Sequence, residues 1–152
     1  MNFRIGNMWS VIDQAQLFLI TTNSYVNQSG ELVMGRGIAL ETKTRYPYLP
    51  KVAGDWVVNN GFQNKFYGVI TDIFNNNIGL FQVKLHFRSS ADVSVIRSSS
   101  EMLAFIINDR GLTDVHMNYP GIGAGRLERT RVLPILEEYF SHLPITIWEY
   151  GS

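Results

Sequence analysis

The chain has 152 residues, 45% hydrophobic and 17% charged, and its 13 Lys and Arg are matched by 13 Asp and Glu. One globular domain over residues 1–152 fits that size and composition, and zero net charge supplies no overall field for nucleic acid or an anionic membrane, so either would need a local patch. Cysteine is absent, which removes disulfides, thiolate catalysis and cysteine-based metal sites.

At the N-terminus, Asp13 and Gln14 arrive before any long apolar run, unlike a signal peptide. No apolar stretch approaches the roughly 20 residues of a membrane helix, so a cytoplasmic protein without membrane contact is expected. The first clear element is QLFLITT, Gln16 to Thr22, a nearly continuous apolar run typical of a strand buried on both faces. Turn formers follow in NSYVNQSG, and then the glycine loop GELVMGRG. From Gly37, residues Ile38, Ala39, Leu40 and Tyr46 suit a short helix stopped near Pro47. A second helix is expected over LPKVAGDWVVNNG, with Pro50 near its start and Gly61 past its end.

Two β-type runs within KFYGVITDIFNNNIGLFQVKLHF are joined by Asn75, Asn76 and Asn77, a hairpin signal. Lys84, His86 and Arg88 alternate at the end of the second run and would share one face. Such a row could hold a nucleic-acid phosphate or a substrate carboxylate, or could be a solvated strand edge kept polar against aggregation. Ala91 to Arg110 carries Val93, Ile96, Met102, Leu103, Ile106 and Ile107 at helical spacing and closes at Gly111. TDVHMNYP reads as a strand, PGIGAGR as a second glycine loop, TRVLPILEEYF as a helix with Pro134 near its first turn and its start left open, and ITIWEY as a last strand. Alternating strands and helices point to an α/β layered sheet with parallel neighbours.

Both glycine loops follow a strand and lead into a helix. In open α/β sheets ligands bind beyond the carboxyl ends of the strands, so the two loops could converge on one site. Exposed backbone N–H groups at a helix N-terminus suit phosphate, and two such loops suit a diphosphate. Neither loop matches a GxGxxG dinucleotide fingerprint in a first βα unit or a GxxxxGK[ST] P-loop. His116, alternating with apolar neighbours, reads as structural. The three histidines lack metal spacing, so neither metal nor cofactor is expected.

GNMW, FLITTNS, VMGRGIALETKTRYP, FQVKLHF and NYPGIGAGRLER, in that order, resemble a macro domain. The likeness is nearest to the branch of terminal ADP-ribose glycohydrolases and of antitoxins that remove ADP-ribose from DNA. It implies a three-layer α/β/α fold with a central mixed, largely parallel sheet, holding ADP-ribose or an ADP-ribosylated substrate in a cleft. Around the distal ribose and phosphate it places Thr22 and Val33, Met34, Gly35, Arg36, Gly37 and Ile38. Around the diphosphate it places Pro120, Gly121, Ile122, Gly123, Ala124, Gly125 and Arg126. Asn23 would lie beside the distal ribose. Asn7, next to Met8, would stand where relatives carry an aspartate that accepts from the adenine amino group, and Trp148 or Tyr150 could stack on the base. Lys43 falls on the nucleophilic lysine of the branch, which needs a deprotonated amine. The branch aspartate has Leu127 at its ungapped position, so Glu128, one residue on, is the candidate acid. Three activities remain open from these residues: hydrolysis of ADP-ribosyl adducts, ADP-ribose binding without turnover, and removal of phosphate from ADP-ribose 1″-phosphate.

Overall fold

A computed structural model describes residues 1–150. Six strands form one sheet: β1 (Asn2–Ile5), β2 (Leu17–Thr22), β3 (Val69–Ile70), β4 (Ile78–Gln82), β5 (Val115–Asn118) and β6 (Ile145–Glu149). Their spatial order is β1-β6-β5-β2-β4-β3, parallel throughout except for β3, which runs antiparallel to β4. The mixed, largely parallel sheet expected from the sequence is therefore present. Four helices cover it: α1 (Gly37–Arg45), α2 (Leu49–Asn59), α3 (Val93–Arg110) and α4 (Arg129–Phe140).

The period-two alternation of β2 sorts the core into two layers. Phe18 and Ile20 pack with Ile38 and Ala39 of α1, Leu49, Ala53 and Val57 of α2, and Trp148. Leu17 and Leu19 face Ile96, Leu103 and Ile107 of α3 and Val132, Ile135, Leu136 and Phe140 of α4. Both faces of β2 are dry, which is why its sequence is an apolar run rather than an alternation. Helix limits follow local chemistry. Asp92 caps α3 by accepting from Ser94 N at 2.8 Å, and Gly111 ends it in the left-handed conformation at φ 60°. No helix among the described residues is long and apolar enough to cross a membrane.

Three features differ from the sequence reading. An exposed edge strand, β1, pairs with β6, and a single 3-10 turn at Met8–Val11 follows it. β4 stops at Gln82, so Lys84, His86 and Arg88 lie on a loop rather than along one face of a strand. The cause is the fully buried Gln82 amide, which donates to Lys65 O and Lys84 O and accepts from Tyr67 N and Gly68 N. These bonds draw the chain off the sheet. Pro134 lies in the second turn of α4, and the helix begins at Arg129.

Candidate functional site

Beyond the carboxyl ends of β2, β5 and β6 lies a cleft of about 990 Å³. One wall is the loop into α1, lined by Val33, Gly35, Arg36, Gly37, Ile38 and Ala39, and the facing wall is Gly121–Arg126. Thr21, Thr22, Asn23, Asn118 and Tyr119 form its base, Trp148, Glu149 and Tyr150 one end, and Val83, Lys84, Phe87 and Arg88 another part of the rim.

The walls are rich in unsatisfied donors. Arg36, the residue before α1, gives its first turn no side-chain cap. Among the described residues, the N–H groups of Gly35, Arg36, Gly37 and Ile38 find no acceptor. The same holds for Ile122, Gly123 and Ala124 on the second loop. That loop is held from behind: Leu127 N donates to Gly121 O at 2.9 Å, Arg126 N to Gly123 O at 2.9 Å, and Ala91 N to Gly125 O at 2.8 Å. Gly121 must be glycine, because its φ is +82° and a Cβ would stand 2.6 Å from Ile96 Cδ1.

Charge is concentrated here although the chain is neutral overall. Arg36, Lys84, Arg88, Arg126 and Arg129 line the cleft, and Glu149 is its one carboxylate among the described residues. Lys84 Nζ donates to Phe87 O at 3.2 Å and Ser89 O at 3.0 Å. Burial, then the charges of Arg126 and Arg36, holds its ammonium below the ordinary lysine value. Three cations therefore act on one space, an arrangement that favours an anion.

Polar side chains at the base are fixed by their own bonds. Asn23 Nδ2 donates to Val33 O at 3.0 Å and its Oδ1 accepts from Tyr25 N at 2.8 Å, so one N–H remains for a ligand. Asn118 accepts from Thr21 N and donates to Thr21 Oγ1. Thr22 Oγ1 donates to Tyr67 OH at 2.5 Å, since that hydroxyl itself donates to Asn23 O. At the far end Trp148 is buried under the Arg4 guanidinium, 4.3 Å from the ring centroid. Its Nε1 donates to His116 Nδ1 at 2.9 Å, which leaves the His116 Nε2 hydrogen for Asp114 Oδ1, also at 2.9 Å. Tyr150 donates its hydroxyl to Glu41 of α1, and burial and that bond push its pKa up to about 12.

The structure thus brings together on the cleft Thr22, Asn23, Val33, Gly35 to Ile38, Gly121 to Arg126, Trp148 and Tyr150. Seven other residues of interest lie off it. Lys43 is exposed on α1, one turn past Ala39, and Glu128 is exposed just before α4, without a capping bond. Asn7 uses its Oδ1 to accept from Trp9 N at 3.0 Å. Met8 and Met34 belong to the core, and Pro120 is buried. Of the basic row, Lys84 and Arg88 reach the cleft, while His86 packs against Tyr25 and Phe87. The sequence reading missed Thr21, Ala39, Val83, Phe87, Asn118, Tyr119, Arg129 and Glu149. Asn118 and Tyr119 carried a usable signal, standing between a strand end and a glycine loop.

No protein-family model matches the sequence, and no curated protein does. Solved structures do match. The macrodomain of Thermus aquaticus DarG superposes with a TM-score of 0.76 at 20% identity, over 99% of this chain and 97% of that one. The macrodomain of Mycobacterium tuberculosis DarG gives 0.73 at 24% identity, over 99% and 97%. Thermosipho africanus DarTG in complex with ADP-ribose gives 0.75 at 20%, where 99% of this chain spans 42% of that chain. The fold is that of a macrodomain.

Proposed function

We propose that the cleft binds ADP-ribose, its diphosphate held between the two glycine loops. The observation that carries this is the set of unsatisfied N–H groups on facing loops, backed by cations with a single opposing carboxylate. Backbone donors at a helix start recognise phosphate oxygens without flexible side chains to order. The nucleotide seen with the Thermosipho africanus protein of the same fold supports the choice of ligand. Calorimetric titration with ADP-ribose tests it: saturable binding with one ligand per chain is expected, and no binding at millimolar ligand removes the proposal.

We further propose that the chain releases ADP-ribose from an adduct. Lys43 lies one turn beyond the cleft-lining Ala39, and helical side chains lean toward the helix N-terminus, here toward the cleft. In this reading the Lys43 nitrogen attacks the distal anomeric carbon through its lone pair as the bond to the leaving group breaks. Glu128, two residues past Arg126, protonates that group. Asn23 offers its remaining N–H to the distal ribose. Water then hydrolyses the lysine adduct, returning the amine and free ADP-ribose. With ADP-ribosyl para-nitrophenol, steady nitrophenol release that Lys43→Ala abolishes is the expected result; unchanged turnover in that variant removes the lysine. Recovery of intact compound, despite tight ADP-ribose binding, would leave a sequestering protein. On the rim, Lys84 and Arg88, with His86 behind them, would meet the phosphates of a nucleic-acid adduct. Salt-sensitive binding of an ADP-ribosylated oligonucleotide, weakened by Arg88→Ala, tests that contact.

A further inference from the structure

Glu149 stands apart from every other charged group on the cleft. It ends β6 between Trp148 and Tyr150, and its side chain is 18% exposed. Arg129, at the first position of α4, donates to it through Nε to Oε1 at 2.8 Å and through a terminal nitrogen to Oε2. A carboxylate offers about four acceptor positions, so about two remain after this pairing. The guanidinium keeps the group oriented.

The order of parts in the proposed ligand restricts what Glu149 can meet. The exposed Tyr150 ring at its end of the cleft suits the base, and the glycine loops suit the diphosphate, so the ribose joining the two falls between them. We infer that Glu149 accepts a hydrogen bond from the 2′-hydroxyl of the base-side ribose and so excludes nucleotides carrying a 2′-phosphate. The inference rests on the ADP-ribose reading of the cleft. A carboxylate close to a ribose hydroxyl favours the unmodified sugar, whereas an arginine there accommodates a 2′-phosphate. This chain holds both, with the arginine occupied by the carboxylate. Removing Glu149 frees Arg129, so the preference should reverse rather than fade.

The same pair could instead only clip the start of α4 to the end of β6. Loss of the clip would lower thermal stability without altering the ratio of two ligand affinities. The test is therefore a ratio: calorimetric affinities of ADP-ribose and of 2′-phospho-ADP-ribose for the wild type, Glu149→Ala and Glu149→Ala/Arg129→Ala. The wild type is expected to favour ADP-ribose by about tenfold or more, because like charges in contact are strongly unfavourable. Glu149→Ala is expected to favour the 2′-phosphate, and the double variant to bind both about equally. A wild type without preference, or Glu149→Ala with the wild-type ratio, overturns the inference while the ADP-ribose reading stands. No binding of either ligand by the wild type removes both.

Discussion

Gly35 separates the needs of the fold from the needs of the cleft. It lines the cleft, its φ is outside the left-handed region, and a Cβ built on it meets no atom within 4 Å. Gly35→Ala should therefore cost the fold nothing, and reduced freedom of the unfolded chain should stabilise it by about 0.4–1 kcal/mol. The ligand would meet the new methyl. Forcing one into a fitted contact costs about 1–3 kcal/mol, which corresponds to an affinity loss of about 5- to 150-fold. Gly121→Ala is the contrast. There a Cβ would stand 2.6 Å from Ile96 Cδ1 and 3.1 Å from Leu127 Cδ1 on a backbone with φ +82°. That variant should lose about 2–4 kcal/mol of stability from strain and overpacking combined. Chemical denaturation gives the stabilities and calorimetry with ADP-ribose gives the affinities. A Gly35→Ala protein that folds normally and binds ADP-ribose as tightly as the wild type would refute close approach of this loop to the ligand.

Gly54→Ala should destabilise by about 3 kcal/mol or more in chemical denaturation, because its Cβ would lie 2.1 Å from Gly30 O, where α2 packs on backbone. Elsewhere within a helix the same change is favourable, so a stabilised variant would contradict this packing. Asp92→Ala should cost about 1 kcal/mol by removing the α3 cap. Bonds from Ser94 hold the Asp92 carboxyl below its ordinary pKa, so its contribution is present above the unfolded value and is lost as pH falls through the folded one. The acid limb of a denaturation profile should therefore flatten in Asp92→Ala. Lys84 has the opposite behaviour toward the ligand. Its pKa is depressed in the free protein, and a bound diphosphate raises it. Affinity is then full below the free-state pKa and declines as pH rises through the interval up to the bound value. Calorimetry across alkaline pH should show that decline, and Lys84→Met should bind more weakly at neutral pH without it.

Much of this architecture is legible in the sequence. The apolar run at Leu17–Ile20 announced a doubly buried strand, the asparagines before Ile78 a hairpin, and Gly111 the end of a long helix. The two glycine loops were legible for the same reason, since positive φ and close approach restrict residue choice. Less visible was whatever depends on tertiary partners. β1 has four exposed residues and exists through its pairing with β6, so its composition carried no signal. Lys84 read as a strand residue because the alternation ran on past Gln82, and only the buried Gln82 amide ends the strand there. Glu149 and Arg129, 20 residues apart in the chain, meet because the start of α4 lies beside the end of β6. Spacing alone does not pair them. Lys43 and Glu128 illustrate the converse: a matching motif position locates a residue along the chain, while its distance from the cleft is set by the helix it belongs to or precedes.

A crystal structure of the wild-type protein with ADP-ribose would locate the ligand against the two glycine loops. The diphosphate oxygens are expected within hydrogen-bonding distance of N–H groups from both Gly35–Ile38 and Ile122–Ala124. A nucleotide bound elsewhere, or one whose diphosphate touches neither loop, would contradict it.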